Sequence, residues 1–378
     1  MRKIRHLPRL PDRQFASLDG VRALAALLVV LHHAGFDSGF TFRNSFGDFA
    51  ARGDIGVPIF FGLSGFLLYR PFLRANLDAS PAPSMPAFWW RRVLRIVPAY
   101  WLALTGCALL FHTRIGGFYD AIWYYSLTQI YSARHALGGL PQAWSLCTEM
   151  SFYFFLPLYA RLARHFGKGR PVNEFVGIAG LFLVSVAYRA AIYTFDPTWA
   201  GTALFWLPAH LDFFAVGMAV ALLVTCESPT PIKIRSLLQR LTFPLVLMGI
   251  ASFVIVSKVV GLPKGIAWVP GRQAFERQTL YTLVAASLLL IGVCSPSRTA
   301  ATRFLRSFVM SWLGVLSYGI YLWHKSLVEK ATTLFGGRYF DAHFAVVAAA
   351  GTLGAVVIAA LTLRYFERPL ERFKSLVH

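Results

Sequence analysis

Arg22 and His33 stand eleven residues apart in a segment otherwise apolar enough to cross a bilayer, Phe15-Ala-Ser-Leu-Asp19-Gly-Val-Arg22-Ala-Leu-Ala-Ala-Leu-Leu-Val-Val-Leu-His32-His33-Ala-Gly35. An ionisable group at membrane depth costs roughly 2.5–3.5 kcal/mol on insertion scales, so its presence points to function. Eleven helical residues span about 16 Å and about three turns, which puts both side chains on one face at different depths. A cation near one surface and an imidazole far inside suit a long anionic substrate with a reactive end. Imidazole also has the basicity to take a proton from a hydroxyl at neutral pH. The simpler reading pairs Asp19 with Arg22 at i, i+3 and makes the histidines caps of the helix end.

Four other places carry polar chemistry in apolar surroundings. Arg92 and Arg95 are three apart, hence on one helix face, and suit phosphates as paired forks; ordinary anchoring of a helix end is the alternative. Glu149 lies early in an apolar block, where a carboxylate needs a partner or must titrate. His210 with Asp212, and His324, interrupt two further blocks, and each taken singly reads as a packed core residue.

The elements that must position these groups are membrane helices. Of 378 residues 56% are hydrophobic, 14% are charged and 33 are Phe, whereas a soluble domain carries about a quarter charged residues. The expected fold is all-α and polytopic, a single membrane domain over 1–378 with about ten transmembrane helices. The apolar blocks are 16–35, 54–73, 92–112, 144–160, 172–192, 203–225, 242–260, 278–294, 309–334 and 342–363. Alternate connections hold 24 of the 37 Lys and Arg, against 12 in the other set, with Arg22 inside the first block. That excess predicts both termini in the cytoplasm, with residues 1–15 as a basic cytoplasmic arm. The basic start followed by an apolar run resembles a signal peptide, but Asp19 and Arg22 intrude on the run, and it reads as a retained helix.

The net charge of +20 follows from these connections and from contacts with anionic headgroups, so nucleic acid is not an expected partner. Cys107, Cys147, Cys226 and Cys294 form no C-x-x-C pair, the histidines lack zinc spacing, and no metal site is expected. The connection 76–86 is rich in proline and predicted irregular. The long outer connection at about 114–143 carries Trp123-Tyr124-Tyr125, which reads as an interfacial belt or as a stacking surface for a sugar.

In this orientation Arg22, Arg92 and Arg95 lie at the cytoplasmic side. His33, Glu149, His210, Asp212 and His324 lie towards the outer half. That arrangement suits acyl transfer from coenzyme A. The nucleotide phosphates would sit on the arginines, and the pantetheine arm matches the Arg22–His33 rise in reach. His33 would act as base, with Glu149 orienting it if the two meet in space.

These residues fall in words that resemble the bacterial integral-membrane acyltransferase family 3, along most of the chain. They are Leu18-Asp-Gly-Val-Arg22 through His33, Gly56-Val-Pro-Ile-Phe-Phe-Gly-Leu-Ser-Gly-Phe-Leu-Leu68, Arg92-Val-Leu-Arg95-Ile-Val-Pro98, Trp144-Ser-Leu-Cys-Thr-Glu149-Met-Ser-Phe-Tyr153, Leu316-Ser-Tyr-Gly-Ile-Tyr-Leu-Trp-His324 and Tyr365-Phe-Glu-Arg-Pro369. The resemblance implies an acyl-CoA donor (acetyl-CoA first) that is a substrate rather than a bound cofactor. It implies a catalytic His33 and functional roles for Arg22, Arg92 and Arg95. Asp19, Ser317, His324 and Arg368 are candidate supporting residues. Where many relatives carry a second acid this chain has Met150. Some relatives append an extracytoplasmic hydrolase-like domain; the chain stops soon after the tenth block, so the membrane domain is expected to acylate its acceptor itself or to hand over to a separate partner.

The sequence therefore predicts a multi-pass enzyme of the bacterial inner membrane that O-acylates a hydroxyl of a glycan, glycolipid or antibiotic-like metabolite. The rival is a transporter or flippase whose polar residues line a path. Transporters tend to repeat paired half-spans, and no repeat is visible here.

Overall fold

The computed structural model describes residues 15–376 apart from 44, 266 and 337, so the basic arm expected over 1–15 lies, but for Phe15, outside the described residues. Among the described residues every regular element is helical. Nine of the ten apolar blocks each fall on one long helix, and the sixth, 203–225, is only partly covered by one: α1 Ser17–Asp37, α2 Gly56–Leu77, α3 Met85–Phe111, α4 Trp144–Gly167, α5 Pro171–Phe195, α6 Leu211–Thr225, α7 Thr242–Lys258, α8 Gly271–Cys294, α9 Phe308–Gly336 and α10 Phe344–Thr362.

Seven of the described helical segments are long and apolar enough to cross a membrane, or eight if Pro229–Arg240 and α7, bent by 73° at their junction, count as one span. The protein is a multi-pass membrane protein. α4 and α9 have the length, with 24 and 29 residues, but are not among the apolar spans. Their polarity has a structural reason. α9 buries Ser311, Ser317, His324, Ser326 and Thr332, and a helix enclosed by other helices need not present an apolar surface to lipid.

Two expected boundaries move. α3 starts at Met85, seven residues before the expected block, and shortens the irregular connection. Pro86 sits in the first turn, where its missing N–H costs nothing, and the Ser84 hydroxyl accepts the Ala87 N–H at 3.5 Å. The block 203–225 is broken instead. A short helix Ala200–Ala203 and a 3-10 turn Leu207–His210 containing Pro208 precede α6, which keeps 15 residues. The connection 114–143 forms a helix, Phe118–Tyr125, followed by 3-10 turns at Gln129–Tyr131 and Pro141–Ala143.

Small residues let the central helices touch backbone to backbone, as close membrane packing requires. α1 lies against both α9 and α2. A Cβ on Gly314 of α9 would stand 2.0 Å from the Asp19 carbonyl oxygen of α1, and one on Gly217 of α6 would stand 1.9 Å from the Gly62 oxygen of α2. The main apolar core surrounds α2, with Phe61, Phe66, Tyr69 and Phe72 all buried.

Away from α1, Asp212 on α6 is buried in a complete set of partners. Arg189 Nη2 donates to it at 2.9 Å, the Ser185 hydroxyl at 3.2 Å and the Gln278 amide at 3.0 Å. Its role is to tie α5, α6 and α8 together. His210 packs its ring against Phe61 and Trp144 at 5.3 and 5.4 Å.

Two stability effects follow. Gly314→Ala forces the α1–α9 pair apart and costs about 1–3 kcal/mol, read as a lower thermal midpoint of the detergent-solubilised protein; an unchanged midpoint contradicts the close contact. Arg189→Met strands the Asp212 carboxylate and costs about 3–5 kcal/mol. The double variant with Asp212→Leu should recover much of that loss, and equal loss in both would contradict the pairing.

Candidate active site

The three arginines meet at one cavity of about 300 Å³. Arg22 of α1, Arg92 and Arg95 of α3, Glu149 of α4 and Ser317 of α9 all line it, so the three arginines meet as expected, while Glu149, expected beside His33, joins them instead. Arg22 is held by Asp19, with Nη1 3.2 Å from Oδ1. Arg92 keeps a buried Nε without a hydrogen-bond partner, and its guanidinium lies 5.8 Å from the centre of the Phe88 ring. Arg95 lines the cavity while remaining exposed, so the cavity opens beside that residue. Three guanidiniums against one lining carboxylate leave a cationic site with a donor to spare, which fits a phosphorylated ligand.

Glu149 accepts a hydrogen bond from the Ser64 hydroxyl of α2. It lines the cavity with the arginines, and the partners of His33 Nδ1 are His324 and the Val29 carbonyl, so Glu149 does not orient that imidazole. Its neighbour Met150 packs on the main apolar core, where a second acid would be out of place. Arg368 is exposed in the short helix Arg368–Glu371, and the cavity does not reach it.

His33 is oriented by His324 instead. The two rings stand 4.9 Å apart, with His33 Nδ1 3.2 Å from His324 Nε2 and 3.0 Å from the Val29 carbonyl oxygen. His324 is fully buried, and its Nδ1 lies 2.8 Å from the Tyr321 carbonyl. The chemistry of the partners fixes the protons. A carbonyl accepts, so His324 Nδ1 carries the hydrogen and, in the neutral ring, its Nε2 is a lone pair. His33 Nδ1 faces that lone pair and a second carbonyl, so it must donate. Nε2 of His33 is then the free base.

The cavity does not form one open channel to His33. Its wall includes Tyr321, whose ring lies 5.7 Å from His324 and whose hydroxyl is latched to Ser145 Oγ at 2.7 Å and to the Gln142 carbonyl at 2.9 Å. His33 is not among the lining residues.

Several groups here are absent from the expected set. Ser64 and Tyr153 line the cavity from within the quoted words, and Lys325 follows His324 directly. Lys325 bridges Asp37 at the end of α1, 2.8 Å away, and Glu329 at 2.7 Å, which makes the far end of the His33 region polar as well. Adjacency to His324 was the available signal for Lys325. Among the described residues no group of three His, Cys, Asp or Glu side chains is placed to hold a metal.

The Acyltransferase domain family matches residues 15–364, and the chain belongs to it. It is similar to YrhL of Bacillus subtilis (26% identical over 381 residues, covering 95% of this chain and 55% of that protein). It is also similar to the peptidoglycan O-acetyltransferase OatA of Listeria monocytogenes (24% over 384 residues, 96% and 57%) and the O-acetyltransferase OatA of Staphylococcus aureus (21% over 378 residues, 95% and 58%). The chain thus spans a little over half the length of these relatives. No solved structure matches it.

The charge of the cavity is measurable without any assumed reaction. Ser317→Cys, in a background whose four native cysteines are buried, should react at least about tenfold faster with an anionic than with a cationic methanethiosulfonate of similar size. Arg92→Gln with Arg95→Gln should narrow that ratio. Equal rates for the two reagents would contradict an anion-attracting cavity.

Proposed function

We propose that the protein is a membrane O-acyltransferase that moves an acyl group, acetyl first among them, from cytoplasmic acyl-CoA to a hydroxyl of an envelope glycan. In this reading all ten long helices cross the inner membrane, both termini are cytoplasmic, and Arg22, Arg92 and Arg95 grip the donor phosphates. The names of the relatives favour peptidoglycan as the acceptor. The observation that carries the reading is the oriented His33–His324 pair three turns along α1 from the arginine cavity.

His33 Nε2 takes the proton of the acceptor hydroxyl as its oxygen attacks the thioester carbonyl. The acyl carbon–sulfur bond breaks, and the imidazolium returns its proton to the departing thiolate. While the ring is charged, its Nδ1–H still donates to His324 Nε2 and to Val29, which stabilises the charge and fixes the geometry. Glu149 stays at the donor end as the counter-charge of the arginines. The Tyr321 ring must swing aside for the thioester to reach His33, so loading the donor opens the latch on Ser145 and Gln142.

Purified protein with radiolabelled acetyl-CoA and isolated peptidoglycan tests this directly. His33→Ala should lower transfer by at least about 10²-fold while donor binding persists. His324→Ala, a positioning variant, should lower kcat roughly ten- to a hundredfold, equivalent to about 1–3 kcal/mol, with little change in donor KM. Arg92→Gln with Arg95→Gln removes charge-assisted bonds worth about 1.5–3 kcal/mol each, so donor affinity should fall by about two to four orders of magnitude. Transport of an acceptor with no covalent product would favour the carrier reading instead.

A further inference from the structure

A second constellation of nucleophile, base and acid lies outside this site, in the connection between α3 and α4. Ser132 Oγ is 2.7 Å from His135 Nδ1, and His135 Nε2 is 2.8 Å from Asp120 Oδ1. The side chains come from two elements. Asp120 lies in the first turn of Phe118–Tyr125, and its other oxygen accepts the Gly117 N–H at 3.0 Å. Ser132 begins the following turn, its carbonyl taking the N–H groups of His135 and Ala136.

The proton assignment follows from the partners. An ionised carboxylate accepts, so His135 Nε2 donates to Asp120. In the neutral ring Nδ1 is then a lone pair, and the Ser132 hydroxyl donates to it. The hydrogen bond from His135 and the Gly117 N–H hold the Asp120 carboxyl below its usual range, which keeps it charged. Arg134 adds a cation 3.3 Å from the same oxygen. Trp123 stacks on the imidazole at 5.5 Å and 16°, and Tyr124 meets its edge at 5.7 Å, so the ring has one orientation. His135 is buried, whereas Ser132 keeps partial exposure.

A turn held by Ser132 and His135 alone would need no acid. Asp120, from a separate helix, makes the three groups a relay of the kind that activates a serine nucleophile. A cleft of about 520 Å³ adjoins the same turn, lined by Arg134, Gly138, Thr198 and Thr202. The connection also packs at the depth of His324. Gln142 donates to the Leu322 carbonyl at 2.8 Å, two residues from that histidine.

We propose that Ser132, His135 and Asp120 form a second acyl-transfer site, in which Ser132 accepts an acyl group from an ester or thioester and releases it to a hydroxyl. The proposal rests on the acyltransferase reading for the source of the acyl group. Ser132 Oγ bonds to the acyl carbon, and its proton passes to His135 Nδ1. The carbon–sulfur or carbon–oxygen bond breaks, and His135 protonates the leaving group. An acceptor hydroxyl or water then gives its proton to His135 and takes the acyl group, and Ser132 regains its hydrogen.

The test is labelling of the full-length protein in detergent with a fluorophosphonate and, separately, with p-nitrophenyl acetate, followed by peptide mass spectrometry. The expected result is one adduct on Ser132. His135→Ala should slow its formation at least about 10²-fold, and Ser132→Ala should abolish it. Because neither probe involves coenzyme A, the result stands apart from the donor question. Label on Ser132 with no acetyl-CoA-dependent transfer would count against the His33 mechanism alone. Transfer that is unaffected by Ser132→Ala, with no label on Ser132 in the wild-type protein, would overturn the second site. Mapping the wild-type adduct decides the matter even where a variant fails to fold.

Discussion

The contact on which the rest depends is the hydrogen bond between His33 and His324. It joins residues 291 positions apart and exists because α1 and α9 approach backbone to backbone. Gly314 against the Asp19 carbonyl brings the same two helices together near the other end of α1. Were the helices further apart at His33, its Nδ1 would keep the Val29 carbonyl as its one acceptor. The tautomer of His33, and with it the free lone pair on Nε2, is therefore a consequence of helix packing as much as of histidine chemistry.

The polar groups of the interior fall into sets with different outcomes. Asp212 with Arg189, and Asp37 with Lys325, are paired ions with close hydrogen bonds, which makes them supports that hold helices together. The cavity set is different. Arg22, Arg92 and Arg95 outnumber Glu149 in the lining. Arg92 and Arg189 each keep a buried Nε–H without a partner, but Arg92 lines the cavity, where a ligand that accepts from it recovers the cost of an unsatisfied donor, about 1–3 kcal/mol. The imbalance gives the cavity lining a net positive charge that the paired supports lack.

The sequence announced the helices well because lipid demands long apolar runs: nine of the ten blocks each fall on one long helix and the sixth is broken, although seven or eight described segments are long and apolar enough to span. It misplaced the start of α3, since Pro86 breaks a helix interior but opens a first turn. The convergence of Arg22, Arg92 and Arg95 was legible from their depth in the expected orientation, whereas Glu149 and Ser317 join them without such a signal. The partner of His33 was not legible. Depth placed Glu149 in the same half, yet which helix faces turn towards each other depends on small residues such as Gly314 and Gly217, and their contacts cannot be read along one strand of sequence. Ser132, His135 and Asp120 escaped notice for a related reason: in a polar connection such residues are unremarkable until a turn and a helix bring them together.

A single-particle structure with a non-hydrolysable acyl-CoA analogue would test the central claim most directly. The account predicts phosphates on Arg22, Arg92 and Arg95, Tyr321 displaced from Ser145, and the acyl carbon close enough to His33 Nε2 for an attacking hydroxyl to bridge them, with reacting atoms about 3–3.5 Å apart. An analogue bound with its phosphates away from the three arginines, or with its acyl end remote from His33, would contradict it.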